Sequence, residues 1–128
     1  MVSLERFEEM VFETEETLPE DFFRELHGGV MVKPESRLHP ADLGGDLYVL
    51  GEYRKDRYLG RFVVLYYGSF AQCFPSCPEE ELGKRIRRVM LHEFRHHLES
   101  LAGERDLELE DARAISQYRY RKQKILDG

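Results

Sequence analysis

Two histidines, four residues apart, flank a glutamate in the run LHEFRHHLESLAG, which extends from Leu91 to Gly103. Residues i and i+4 lie on one face of a helix, so the imidazoles of His92 and His96 can converge on one ion, about 2.0–2.1 Å from each nitrogen. Zinc with three protein ligands keeps one position for water and lowers the pKa of that water to about 7. Glu93 points about 100° away from His92, where its carboxylate can act as a general base without binding the metal.

The residues around the pair place it at the edge of a buried helix face. If His92 is set at 0°, six apolar side chains fall between about 60° and 200°, and four charged ones cluster between about 300° and 20°. The apolar six are Leu82, Ile86, Val89, Met90, Phe94 and Leu101, and the charged four are Arg85, Arg88, Arg95 and Glu99. An open metal site belongs at such a boundary. The alternative, that these are polar residues making ordinary helix salt bridges, stays open. His97, at about 140°, points toward the core and is predicted to be a buried, hydrogen-bonded imidazole rather than a ligand.

Capping signals and periodicity predict the elements that position this helix. Ser3 can cap a first helix, and Pro19 suits the first turn of a short second one. Strand-like runs follow at VMV, DLYVLGEYRK and LGRFVVLYYGSF, the last two joined by a hairpin turn at KDRYLG. Pro78 and the glutamates after it open the histidine helix, which we expect to end near Leu101 with Gly103 as its stop. A last helix is predicted from about Glu108 to Ile125.

The order of helices, a small sheet and helices again predicts the α+β class, with a mainly antiparallel sheet packed against the histidine helix. A length of 128 residues fits one domain, 1–128. A net charge of −6 argues against nucleic-acid binding and weakly against binding to anionic membranes. No apolar run approaches the roughly 20 residues of a membrane span, and the acidic N-terminus predicts a cytoplasmic protein. Cys73 and Cys77 are expected to be free thiols in a loop, since a zinc cluster needs about four ligands.

Four short motifs resemble those of a known family. They are LPEDF at Leu18–Phe22, LGEY at Leu50–Tyr53, LYYGS at Leu65–Ser69 and HEFRHH at His92–His97. In this order they resemble the small bacterial zincin-like proteins called minimal or possible zinc metallopeptidases. The resemblance spans most of the chain and implies a compact zincin fold, bound zinc, and Glu93 as the catalytic acid/base.

The third metal ligand is where the chain departs from the family pattern. Arg95 replaces a small residue, Glu99 stands where a glycine usually ends the helix, and the family's third ligand falls on Ala102. A shifted G-x-x-D occurs at Gly103–Asp106. We therefore predict Asp106 as the third ligand, returned to the metal by a turn at Gly103. The alternatives are Glu99, which lies on the same face as His92, or Glu104, Glu108 or water.

These patterns predict a zinc-dependent metallopeptidase acting on a peptide or protein, with an extended substrate added to an edge strand at LYYGSF. Tyr66 or Tyr67 is a weaker candidate to donate a hydrogen bond to the oxyanion. The alternative function is a non-catalytic metal-binding or protein-interaction domain that retains the zincin scaffold. A third alternative is a protein without metal, in which the motif is only structural. The sequence leaves the oligomeric state open.

Overall fold

The computed structural model describes the backbone of residues 1–127 and the side chains of residues 1–106, 109, 112–114 and 116–121. It contains two compact units, one from Met1 to His97 and one from Leu98 onward. The first unit holds the sheet and the histidine motif, and the second is helical. That the whole chain forms one domain stays a prediction.

The first unit begins with helix α1, Leu4–Glu16. The Ser3 side chain accepts a hydrogen bond from the Arg6 amide at 3.1 Å, which is the cap that the sequence predicts. A short 3₁₀ helix, Glu20–Phe23, takes the place of the predicted second helix and follows Pro19. The chain then enters strand β1, Gly29–Lys33.

The sheet has three strands in the order β1-β3-β2, where β2 is Gly51–Asp56 and β3 is Gly60–Tyr66. Strands β2 and β3 form the predicted hairpin and are antiparallel, whereas β1 pairs with β3 in parallel. The α+β class is confirmed, and the sheet is mixed. Because β3 is paired on both sides, the prediction that the LYYGSF strand is an edge is wrong.

Strand β3 ends earlier than predicted, because the chain must turn where Gly68 meets the loop before β2. A Cβ on Gly68 would lie 2.4 Å from the backbone nitrogen of Ser36. The Ser69 hydroxyl, fully buried, accepts a hydrogen bond from the Arg37 amide at 2.9 Å. Helix α2, Tyr67–Cys73, therefore follows β3 directly.

Helix α3, Glu79–Asp127, carries the histidine motif and is longer than the sequence predicts. It is helical through Gly103, so neither the stop there nor a separate last helix is observed. A glycine in a helix costs only about 1 kcal/mol relative to alanine, and the residues around it (SLAGER) are mostly good helix formers. No helix within residues 1–127 is long and apolar enough to cross a membrane.

The core of the first unit holds α3 in place. Leu82, Ile86, Met90 and Phe94 follow one another at intervals of four residues and are fully buried. They pack in one cluster with Phe7 and with side chains of β3 and α2. This stripe fixes the rotation of α3 about its axis, and thereby determines which way the histidine motif faces.

Candidate metal centre

The motif lies where the buried stripe of α3 meets solvent, as predicted. Glu93 is 5% exposed, whereas His92 and His96 are exposed. Phe94, the next residue, anchors this turn: its ring centroid lies 4.9 Å from that of Phe23 and 6.0 Å from that of Phe22. The aromatic contacts therefore orient the turn of helix that presents both imidazoles.

His97 provides a second anchor directly after the motif. It is fully buried, and its Nε2 lies 2.8 Å from the carbonyl oxygen of Arg24 while its Nδ1 lies 2.9 Å from the hydroxyl of Tyr53. A carbonyl only accepts, so Nε2 donates and Nδ1 accepts from the tyrosine. Burial lowers the pKa of His97 from its ordinary value of 6.5. The prediction of a hydrogen-bonded core imidazole is confirmed.

The two exposed histidines are close enough to share an ion. Their Nε2 atoms lie 3.2 Å apart, and the Nε2 of His96 lies 4.0 Å from Oε1 of Glu93. Two nitrogens at about 2.0–2.1 Å from one tetrahedral zinc would be about 3.3 Å apart. The donor atoms of all three residues lie within 4.8 Å of one another. The side chains thus fit a metal ion bound by two imidazoles, with a carboxylate beside it.

Glu93 has the electrostatics expected of a proton acceptor. Burial raises the pKa of its carboxyl to about 7, the nearby His96 lowers it, and the charge of Glu52 raises it. A carboxyl with a pKa near 7 can both take and release a proton at neutral pH. The carboxylate of Glu52, on β2, forms an ion pair with Arg37: the Nε of Arg37 lies 2.5 Å from Oε1 of Glu52.

An open cleft of about 410 Å³ runs beside the motif. One wall is α3, which contributes Arg88, Val89, His92 and Glu93. The other wall is the chain that leads into β2, together with one loop residue: Tyr48, Val49, Leu50, Gly51 and His39. The lining thus combines apolar side chains, those of Val49, Leu50 and Val89, with the polar side chains of the motif.

The loop wall contains residues that the sequence analysis missed. His39 and Tyr48 lie in the long segment between β1 and β2. His39 falls in the part rich in glycine, proline and aspartate, whereas Tyr48 falls in the predicted strand run DLYVLGEYRK, which is a strand only from Gly51 onward. The available signal was the length of the segment, because long loops in small domains are often functional. The sequence shows Gly51 only as part of a strand, although a Cβ there would lie 2.7 Å from Cγ1 of Val89.

The two tyrosines proposed for the oxyanion are engaged elsewhere. The Tyr66 hydroxyl lies 3.4 Å from Oε1 of Glu52 and 3.5 Å from Arg37, and the Tyr67 hydroxyl donates to the carbonyl of Val2. Neither tyrosine lines the cleft. The positions of these two hydroxyls therefore do not support a role in donating a hydrogen bond to the oxyanion.

Asp106 and Glu99 both lie in the second unit and on α3, and both are exposed. The expected turn at Gly103, which would return Asp106 to the metal, does not form. Whether either carboxylate is a ligand stays a prediction. The side chain of Glu108, another alternative, lies outside the residues whose side chains the structure describes.

Comparison with known proteins agrees with this geometry. A family model described as zincin-like metallopeptidase matches residues 7–114. The chain belongs to the zincin-like metallopeptidase family. Among solved structures, the chain is similar to a conserved hypothetical protein from Thermo thermophilus, with 41% sequence identity and a TM-score of 0.66. The match covers 80% of this chain and 99% of that one. No curated protein matches the chain.

Proposed function

We propose that the protein is a zinc-dependent peptidase whose metal is held by His92 and His96 and whose catalytic acid/base is Glu93. The observation that carries the proposal is the 3.2 Å separation of the two Nε2 atoms beside a carboxyl with a raised pKa, in a member of this family. When bound, zinc would supply an activated water and polarise the substrate carbonyl.

Glu93 has two tasks in this reaction. Its carboxylate takes a proton from the attacking water and later gives it to the nitrogen of the leaving amine. Its burial keeps the carboxyl basic enough to do so near pH 7. The same burial shields the proton from bulk solvent while the peptide bond breaks.

An extended peptide has a place to bind along β2, which is an edge strand. The amide of Tyr66 donates to the carbonyl of Leu50 at 2.9 Å. The backbone N–H and C=O groups of Leu50 therefore point toward β3, and those of the next residue, Gly51, point away from the sheet. Among the described residues no strand pairs with that outward side. A substrate strand added there would lie along the cleft wall, beside His92 and Glu93.

We keep Asp106 as the predicted third ligand, with Glu99, Glu104, Glu108 or water as the alternatives. Substituting each carboxylate by its amide and measuring the zinc dissociation constant distinguishes them. The true ligand is the one whose loss weakens binding by about 100-fold or more, above the 10–100-fold that a supporting residue costs.

Hydrolysis of a peptide library is the test of the proposed activity. We expect cleavage with added zinc, and we expect it to disappear in Glu93→Gln while bound zinc is retained. Zinc binding without cleavage of any peptide would instead favour the non-catalytic metal-binding domain. One observation favours that second function. Among the described residues, the group of metal-binding atoms that lie close together contains only His92 and His96 besides Glu93, whereas a catalytic zinc has three protein ligands. A cytoplasmic location also stays a prediction.

A further inference from the structure

His39 lines the same cleft as His92 and Glu93. It belongs to the segment between β1 and β2, and its backbone is held at both ends. The His39 amide donates to the carbonyl of Leu47 at 2.8 Å, and its own carbonyl accepts from the Asp42 amide at 2.9 Å. The imidazole thus projects from a fixed piece of backbone.

The loop beyond His39 is also tied down internally. The carboxylate of Asp42 accepts hydrogen bonds from the amides of Gly45, Asp46 and Leu47, at 2.8 to 3.0 Å. These bonds lower the pKa of the Asp42 carboxyl and keep it charged. A histidine on such a loop is positioned before any ligand arrives, which is what a binding or catalytic group requires.

One ring nitrogen of His39 is already occupied. The amide of Ala41 donates to Nδ1 at 3.0 Å. An atom that accepts this bond carries a lone pair, so in the neutral ring the proton is on Nε2. Nε2 is then a donor without a lone pair for a metal. This distinguishes His39 from His92 and His96, whose Nε2 atoms face each other.

We propose that Nε2–H of His39 donates a hydrogen bond to the carbonyl oxygen of the peptide bond that is cleaved; this inference rests on the proposed peptidase function. The water oxygen bonds to the carbonyl carbon, the π pair of the carbonyl moves to its oxygen, and Glu93 takes the water proton. An electron pair of the oxyanion then re-forms the carbonyl as the carbon–nitrogen bond breaks, and the pair of that bond goes to nitrogen, which receives the proton from Glu93. His39 is a donor throughout and exchanges no proton.

This role suits the position of His39 better than metal ligation or packing. His39 lines the cleft together with Glu93 but is outside the close group of three donor residues. It is exposed, so no core contact requires it. Donors aimed at the developing negative charge of a carbonyl oxygen are worth roughly 10²–10³-fold in kcat each.

The first measurement is the tautomer of His39 in metal-free protein, which does not depend on activity. Nitrogen-15 spectra of labelled imidazoles should show the proton of His39 on Nε2 at pH 8. A proton on Nδ1 would overturn the proposal, because Nε2 would then be free to bind metal.

The second measurement compares His39→Ala, His39→Gln and His27→Ala in zinc-loaded protein. His27 is an exposed histidine outside the cleft and serves as the matched control. We expect His39→Ala to lower kcat by about 100- to 1,000-fold with little change in KM or zinc content. Gln retains an N–H donor and should recover part of the rate, while His27→Ala should match the wild type.

Three outcomes contradict the proposal in different ways. An unchanged kcat in His39→Ala removes the donor role, and a loss of bound zinc in His39→Ala makes His39 a ligand instead. In both cases the wild type still cleaves peptide and loses cleavage in Glu93→Gln, so the proposed function stands. If the wild type binds zinc but cleaves nothing, the proposed function fails, and the role of His39 fails with it.

Discussion

Gly51 on β2 lies so close to Val89 on α3 that a Cβ on Gly51 would come within 2.7 Å of the Cγ1 of Val89. The same Cβ would lie 3.0 Å from a methyl carbon of Leu65 on the central strand. The missing side chain therefore lets the edge strand sit directly against the helix, one turn before His92. This contact brings the edge strand and the histidine motif to one cleft.

Gly51→Ala should destabilise the protein by about 1–3 kcal/mol, because the new methyl group must displace Val89 or the strand. Urea denaturation followed by circular dichroism measures the change. In the proposed enzyme, the same displacement should also lower peptide cleavage, since the substrate edge would shift relative to Glu93. An alanine tolerated without loss of stability would show that β2 does not press on α3.

Gly103→Ala tests the correction to the end of the histidine helix. Nothing lies within 4 Å of a Cβ built on Gly103, and its backbone is helical. Alanine should therefore stabilise the protein by about 0.5–1 kcal/mol. A glycine that ended the helix in a left-handed conformation would give the opposite sign. A loss of stability in urea would thus restore the predicted stop.

Glu93→Gln should stabilise the metal-free protein at pH 8. In the folded state burial raises the pKa of Glu93 to about 7, whereas in the unfolded chain it is near 4.5. The folded state therefore binds more protons between these values, and the contribution of Glu93 to stability falls as pH rises through them. The neutral amide removes a cost on the order of 2 kcal/mol at pH 8 and much less at pH 5.

Denaturation in the presence of a chelator, at pH 5 and pH 8, measures this difference. Glu8→Gln is the matched control, because Glu8 is exposed on α1. It should change stability little at either pH. Equal stability of Glu93→Gln and wild type at pH 8 would mean that the carboxyl is not strained by burial.

His97 should make the protein less stable in mild acid. Its pKa is lowered in the folded state by burial, below its ordinary value of 6.5. Below about pH 6.5 the unfolded chain therefore binds more protons than the folded protein, and stability falls as pH decreases. Glu93 acts in the opposite direction over part of this range, so the comparison must be between variants.

The difference in stability between wild type and His97→Gln, measured from pH 7.5 to pH 5.5, isolates this effect. Glutamine retains an N–H that can donate to the carbonyl of Arg24 but does not titrate. The wild type should lose stability relative to this variant as the pH decreases. A constant difference would show that His97 titrates alike in both states.

The histidine helix was the most predictable part of the site, because the phase of its apolar residues determines which side chains are buried. That phase places His92 and His96 at the edge and His97 in the core, as the structure has them. The cleft was not predictable in the same way. Its other wall depends on a contact of Gly51 with a residue 38 positions later in the chain and on a long loop without periodicity.

The errors had local causes. The sequence run through β3 and α2 is rich in apolar and aromatic residues throughout, so it does not show that the strand stops at Tyr66. The sequence of β1 likewise does not indicate that it pairs in parallel, because the strand has only five residues. Glycine often ends helices, so the sequence predicts a stop at Gly103, but tertiary context and the neighbouring residues decide whether the helix ends there.

The most direct test of the central claim is zinc titration of protein purified without a histidine tag, followed by calorimetry. The 3.2 Å between the Nε2 atoms of His92 and His96 suits a shared ion, but it also suits a hydrogen bond between two neutral rings. We predict one zinc per chain, bound at least about 100-fold more weakly in His92→Ala and in His96→Ala but with normal affinity in His27→Ala. Absence of zinc binding, or binding that survives loss of both histidines, would contradict the account.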